Sequence, residues 1–426
     1  MENPRDAKAQ PAAVLYNLPP SHADPFVLAA PASMATTPSP AAAPAIYTGW
    51  ALFDPSVIIT EEPVVPAGPT AASCLTSDGH DIRVSLRLAD PPSASFVEMR
   101  TDADLHPLCT PTVVAADGDL LLLLASLADS PSHEHNFFVY KPHPPSLRLL
   151  PHPDVYTGIV TRRRNVESEL TRFSSSTGRC EVLNLSIPFD PTKGLYKYTW
   201  RTDKVVPFGD LMCFVDYHRG ILLCDVFAGG DGGGGSPELR FVPLPEIEVW
   251  DDKHNYCYGR GLPATYRTVG VTSHGVMRFV DVSDGLFGRR RDPFGVTITT
   301  WTLRSTSTAP EETMRWEKDA VLRLDDLWSF DEFRRSSLPR WVPGLPAVCR
   351  HDPDAVVFAL LNPKSIGADA WLIMVDLRQM ELLSYVPYIN QAKGDDAGGE
   401  SWKVDGCLFL DMPFVCSDLY SFGSIG

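Results

Sequence analysis

Between Val356 and Tyr388 the chain reads VVFALLNPKSIGADAWLIMVDLRQMELLSYVPY, and its apolar positions gather into three blocks of strand length. Val356 to Leu361, Ala370 to Leu377 and Glu381 to Val386 are the predicted strands, with a polar loop after the first and a turn at Arg378 and Gln379 after the second. Trp371 to Val375 is apolar without a break, which suits a strand covered on both faces. A hairpin shielded on both sides needs further sheets stacked above and below it.

The same alternation recurs upstream. Trp50 to Phe53 and Val57 to Ile59 are short strands broken by the Asp54-Pro55 turn signal. Ala71 to Leu75, the Ser77-Asp-Gly-His80 turn and Ile82 to Leu88 form a hairpin. Its second strand has apolar residues at 82, 84, 86 and 88 against Arg83, Ser85 and Arg87, so one face is wet. Thr112 to Leu150 holds four strands: Val113 to Ala116, Leu120 to Ala125, Asn136 to Tyr140 and Leu147 to Leu150. A weaker group follows at Gly158 to Leu185, and then another at Leu211 to Leu244. A longer group at Tyr266 to Trp316 precedes a short helix expected over Val321 to Phe333.

Aligned, these groups repeat one phrase: a Gly or Asp turn, an apolar strand, a loop, a second apolar strand, a turn, and a strand ending in Pro. It appears as DGDLLLLLA with FFVYKPHPPSLRLLP, RGILLCDV with ELRFVPLP, HGVMRFVDV with TITTWTL, and DAVVFALL with AWLIMVDLRQMELLSYVP. Four fair copies and two poor ones predict an all-β, β-propeller-like ring of about six antiparallel blades, with two packed sandwiches as the runner-up. Val404 to Leu410 and Phe414 to Leu419 are the candidates to return to the first strands and close the ring.

Composition narrows the setting. Residues 1–44 are rich in Pro and Ala and lack an apolar period, predicting a disordered tail ahead of a single domain over 45–426. A transit peptide is disfavoured there by the scarcity of Arg and by Glu2. The net charge of -16 argues against a broad nucleic-acid footprint or an anionic membrane surface. With no signal segment and no membrane-length apolar run, the protein is expected to be intracellular, cytoplasmic or nuclear. Nine scattered cysteines without a C-x-x-C pair read as buried thiols of a reducing compartment. Asn184-Leu185-Ser186 fits a glycosylation acceptor by chance.

Several stretches resemble a known family. GVMRFVDV at 275–282, ITTWTL at 298–303, Trp316 to Asp319, LRLDDLW at 322–328, LPRWVPGLPAV at 338–348 and AWLIMVDLRQMELLSYVPY at 370–388 look like the block that marks a plant family expanded in grasses and labelled domain of unknown function 1618. WALFDP at 50–55 and VSLRLADPP at 84–92 resemble its N-terminal section. That family has no established activity. Its general look is of F-box-associated and kelch-like propellers, and the resemblance implies an interaction fold. Some relatives carry an F-box, but no such pattern is read before residue 50 here, which speaks against a ubiquitin-ligase adaptor.

Chemical candidates are weak. His133-Glu134-His135 offers two imidazoles with no third ligand in reach, so no metal is expected. Gly229 to Gly235 lacks the Lys-Ser/Thr of a phosphate loop and reads as a linker. Arg162 to Arg164 and Arg289 to Arg291 read as solvated loops rather than phosphate or nuclear addresses. Asp251-Asp252 and Asp325-Asp326 read as surface charge rather than glycosidase acids, and Cys257 lies near His254 by chance. No catalytic residue or cofactor is expected. Most tryptophans of the ordered region should fill wedges between sheets. Trp328 and Trp341, with Arg334, Arg335 and Arg340 beside them, are the expected partner-binding residues, because buried aromatic and Arg anchors dominate interfaces. The expected function is a non-catalytic module that binds a protein partner through rim loops. The alternative is a hydrolase of a sugar or small ester with its site in a central channel.

Overall fold

A computed structural model describes residues 15–17, 49–60, 68–105, 110–127, 135–151, 160–161, 167–174, 179–188, 190–193, 195, 200–226, 238–247, 262–283, 295–306, 313–362, 370–388 and 413–419. Described residues fall into six sheets joined by little helix, an all-β architecture. Four sheets are four-stranded antiparallel meanders taken in chain order. The second sheet holds Thr112–Asp117, Leu120–Ser126, His135–Pro142 and Pro145–Leu149. The fourth holds Lys204–Phe208, Leu211–Asp216, Gly220–Cys224 and Leu239–Pro243. The fifth holds Arg267–Val271, Met277–Ser283, Thr297–Thr306 and Thr313–Arg323, and the sixth holds Pro343–Val348, Ala355–Leu361, Ala370–Asp376 and Glu381–Pro387.

Turn chemistry explains why these meanders fold where they do. Asp376 ends a strand, and its Oδ1 accepts the backbone N–H groups of Arg378 (2.8 Å) and Gln379 (2.7 Å), fixing the turn before Glu381. Asp216 does the same for His218 at 2.9 Å. Such buried carboxylates satisfy donors that a tight turn leaves without strand partners.

The first sheet brings Trp50–Phe53 together with the last described strand. Its order is Val415–Asp418, Trp50–Phe53, Ala94–Thr101, Asp81–Arg87 and Ala72–Leu75, with Ile58–Ile59 also beside Ala94–Thr101. Val415–Asp418 pairs antiparallel with Trp50–Phe53, so the later of the two expected closing strands does return to the beginning. The earlier one, Val404 to Leu410, lies outside the described residues. In the third sheet, Glu167–Ser174 pairs with Arg179–Ser186 and Val160–Thr161. Leu15–Asn17, from within the stretch expected to be disordered, pairs in parallel with Arg172–Ser174, and the rest of 1–44 lies outside the described residues.

Packing follows the chain. Val113, Leu121 and Leu123 of the second sheet share a core with Phe53, Val84 and Val97 of the first. Leu185 of the third meets Phe214 and Leu222 of the fourth, and Cys213 and Val215 of the fourth meet Val269 and Phe279 of the fifth. Val280 and Ile298 of the fifth meet Phe358 and Ile373 of the sixth, and Val357 and Leu372 of the sixth meet Trp50 and Leu52 of the first. The edge strands Lys204–Phe208, Arg267–Val271, Pro343–Val348, Val415–Asp418 and Thr112–Asp117 approach one another in that order. This row of neighbouring edge strands is termed the inner lining.

Two expectations change in detail. Met314 to Trp316 is the start of an eleven-residue strand, Thr313–Arg323, and the single helix expected over Val321 to Phe333 is two short ones, Leu324–Leu327 and Asp331–Arg335. Among the described residues Cys74, Cys213, Cys349 and Cys416 are free thiols. No helix of the described residues is long and apolar enough to cross a membrane.

Candidate functional site

The segment from Leu324 to Val342 links the outer strand of the fifth sheet to the inner strand of the sixth. Its fold follows from four apolar residues. Leu324, Leu327, Phe333 and Leu338 are buried in the core shared by those sheets, and they pin the segment across the outer end of the wedge. Trp328, Phe330, Trp341 and Val342 lie partly buried against the same core. The two expected tryptophans therefore sit on one cluster, although thirteen positions separate them.

The arginines divide. Arg334 donates to Asp331 Oδ1 at 2.6 Å, and Arg335 lies 3.5 Å from Asp331 Oδ2 and 3.7 Å from Glu332 Oε1. The Arg334 hydrogen bond and both guanidinium charges hold the Asp331 carboxyl below its ordinary range. The acids stand in the first turn of the helix and the arginines in its last, as the helix dipole favours. Arg340 is exposed and makes no ion pair with any described residue. Trp328 is less available than the sequence implies, because its indole Nε1 is covered and has no acceptor in the structure.

The structure adds residues that sequence reading missed. The helix Asp331–Arg335 lies beside the outer strand Glu381–Pro387 of the sixth sheet. Tyr385 on that strand is 40% exposed, and its ring lies 6.1 Å from that of Trp371, which packs against the same core as Trp328 and Trp341. Leu383 and Met380 nearby are also exposed. The available signal was the period-2 pattern of Glu381 to Pro387, whose outward positions are not uniformly polar.

A second cluster lies at the inner lining. Arg350 follows the first strand of the sixth sheet, and its Nε lies 3.1 and 3.2 Å from the two carboxylate oxygens of Asp418, which Nη2 also meets. Its Nη1 donates to the Val271 carbonyl of the fifth sheet, and its own carbonyl accepts from Ser273 N at 2.8 Å. Asp418 N and Ser417 Oγ donate to Gly118 O of the second sheet, at 3.0 and 2.8 Å. His351 Nε2 stands 3.5 Å from Asp418 Oδ1. The guanidinium and carboxylate thus join the fifth, sixth and first sheets, while Asp418 N and Ser417 Oγ add the second, a fastening rather than a reacting pair.

Other candidates resolve plainly. Asp325 and Asp326 are exposed in the first helical turn after the fifth sheet. His133-Glu134, the Gly229 to Gly235 linker, both Arg triplets, Asp251-Asp252, His254 and Cys257 lie outside the described residues, and no cluster of metal-ligating side chains occurs among the described ones.

No curated protein matches the chain. Among solved structures, similarity is found to the crystal structure of a nidogen/laminin complex, at 10% identity and a TM-score of 0.26, covering 80% of this chain and 94% of that one. Sqt1 from Chaetomium thermophilum is similar at 15% identity and a TM-score of 0.27, over 79% of this chain and 73% of that one. The α-L-arabinofuranosidase Arb93A from Fusarium graminearum, in complex with an iminosugar inhibitor, follows at 12% and 0.21, over 79% and 85%. Likeness at this level leaves architecture and activity to be argued from the chain itself. Residues 214–358, from the second strand of the fourth sheet to the second strand of the sixth, match the family described as "Protein of unknown function (DUF1618)".

Proposed function

We propose that the six sheets form a closed propeller-like ring, and that the ring is a non-catalytic interaction module whose recognition surface is the rim between the fifth and sixth sheets. What supports closure is the run of shared cores from the third sheet through the fourth, fifth and sixth to the first and second, together with the pairing of Val415–Asp418 to Trp50–Phe53. The observation that carries the binding surface is the gathering of Trp328, Trp341, Trp371 and Tyr385 around one core end, with an uncommitted Arg340 beside them. Partly exposed aromatics on a rigid support, next to an arginine without a carboxylate, have the composition of an interface hot spot. Arg334 and Arg335 contribute at the margin, since binding through them requires leaving Asp331 and Glu332. Asp418, the carboxylate most central to the inner lining, is engaged by Arg350, which favours a scaffold role for that region over hydrolysis.

The test compares partner capture from native tissue by the wild-type chain and by Arg340→Ala and Tyr385→Ala, two exposed positions whose loss leaves the fold intact. A partner that drops at least about tenfold with either variant supports the reading, since that ratio is about 1.4 kcal/mol of binding. Identical capture by all three chains refutes it.

A further inference from the structure

Lys204 opens the inner strand of the fourth sheet and lies partly buried at the lining. Its ammonium Nζ stands 3.3 Å from Thr268 Oγ1 on the neighbouring inner strand of the fifth sheet. Thr268 is buried, and its hydroxyl also meets the Tyr217 hydroxyl, so it is held in place. No described carboxylate pairs with Lys204. The nearest ionisable groups are Cys416, Arg350 and Cys213. Arg350 carries the same charge, and burial keeps both thiols protonated, with the Cys416 pKa pushed up to about 11 and that of Cys213 higher still. Neither sulfur therefore supplies a negative charge.

A cation in this position is anomalous. Taking an ammonium out of water without a counter-ion costs several kcal/mol, and buried charges are normally paired. Burial, reinforced by Arg350, holds the Lys204 pKa below its ordinary value, as expected of an ammonium that lacks an opposite charge. Elsewhere the chain pairs its lining charges closely, Arg350 with Asp418 and Arg267 with Asp281 at 2.7 Å. Lys204 has no such partner among the described residues.

We propose that Lys204 and Thr268 form a binding site for a small oxyanion, a phosphate or a carboxylate, at the inner lining between the fourth and fifth sheets. The ammonium supplies the charge, and Thr268 Oγ1, 3.3 Å from Nζ, orients it. Arg350 adds to the local positive field, though its hydrogen bonds are committed to Asp418 and Val271. Such a site stands apart from the rim surface and does not depend on it.

The experiment uses the full chain. Amine labelling with acetic anhydride, read by mass spectrometry, is run in sodium phosphate, sodium malonate and sodium chloride at equal ionic strength. Phosphate or malonate should slow labelling of Lys204 at least about fivefold relative to chloride, while the exposed Lys141 and Lys193 are unaffected. Which salt protects distinguishes phosphate from carboxylate. In parallel, the protecting salt should raise Tm saturably by roughly 2–4 °C. Lys204→Met and Lys204→Gln should abolish that rise, and in chloride Lys204→Met should melt no lower than wild type, because it removes an unpaired charge. Equal labelling of Lys204 in all three salts overturns the proposal, as does a Tm rise that survives both substitutions.

Discussion

Arg350 and Asp418 form a two-pronged ion pair that joins the exit of the sixth sheet's inner strand to the last described strand of the chain, with Asp418 only 2% exposed in its side chain. Because the Arg350 guanidinium is held by the Val271 carbonyl as well as by Asp418, removing the carboxylate leaves that guanidinium fixed at the seam without its counter-charge. Asp418→Leu is therefore expected to lower the free energy of unfolding by about 3–5 kcal/mol, the usual result of leaving one member of a buried pair uncompensated. The double variant Arg350→Met with Asp418→Leu should recover at least about 2 kcal/mol of that loss. Urea midpoints of the four proteins in the cycle check this, and additive losses would mean that the pair is not coupled.

A pH dependence follows from Asp54. It is buried between the first and sixth sheets, its Oδ1 accepts Ser56 N at 2.8 Å, and Tyr388 Oη donates to its Oδ2. Burial raises its pKa, outweighing the hydrogen bonds that pull it down. The unfolded carboxyl titrates near pH 4, so above that point the folded state binds more protons than the unfolded one and stability falls with rising pH. Its contribution is whole below about pH 4 and is lost as pH climbs through the folded pKa. Asn at this position keeps an acceptor for Ser56 and does not ionise. The urea midpoint of Asp54→Asn relative to wild type should therefore climb between pH 4 and pH 7, and a difference that stays flat would remove Asp54 as the cause.

The strongest elements of the fold were legible because burial wrote them into the sequence. Trp371 to Val375 and Leu120 to Ala125 are middle strands of their sheets, shielded on both sides, and both show as unbroken apolar runs. Inner strands were harder. Lys204–Phe208 and Pro343–Val348 each carry proline, which argues against a strand in the sequence. Each is the edge of its own sheet, where proline is tolerated. The strand Thr313–Arg323 was cut short because Glu317, Lys318 and Asp319 face solvent at an outer edge. Nothing local to Arg350, Asp418 or Lys204 announces their roles. Their surroundings depend on which edge strands become neighbours across long sequence separations.

Gly220 illustrates a close approach that only the fold reveals. A Cβ placed there would collide with the Val242 carbonyl oxygen on the adjacent strand and come within 2.6 Å of the Phe241 ring. The obstacle is partly backbone of a paired strand, so it cannot swing aside as a flexible side chain would. Gly220→Ala should destabilise the protein by about 2–3 kcal/mol, the upper part of the range for overpacking. Gly79, in the turn before Asp81, offers a contrast. It has open space at the Cβ position and a φ of 88°, so its alanine variant costs through backbone strain alone, about 1 kcal/mol. Denaturant titration of both variants separates the two mechanisms.

The pairing of Val415–Asp418 with Trp50–Phe53 is the contact on which the proposed ring depends. In an open row, removing this strand uncovers the edge of the first sheet and leaves the fourth and fifth sheets untouched. In a ring it also removes Asp418 from Arg350 and Phe414 from the core shared by the sixth and first sheets, so the wedge between them opens. A chain ending at Met412 should therefore lose hydrogen-exchange protection in strands remote from the cut, including Gly220–Cys224 and Met277–Ser283, by at least about a hundredfold, corresponding to about 2.8 kcal/mol. Phe414→Ala in the full-length chain should show the same pattern more weakly, because it trims the shared core without removing the strand. Protection lost only in Trp50–Phe53 and its neighbours would mean that the sheets stand in an open row, and the ring would have to be abandoned.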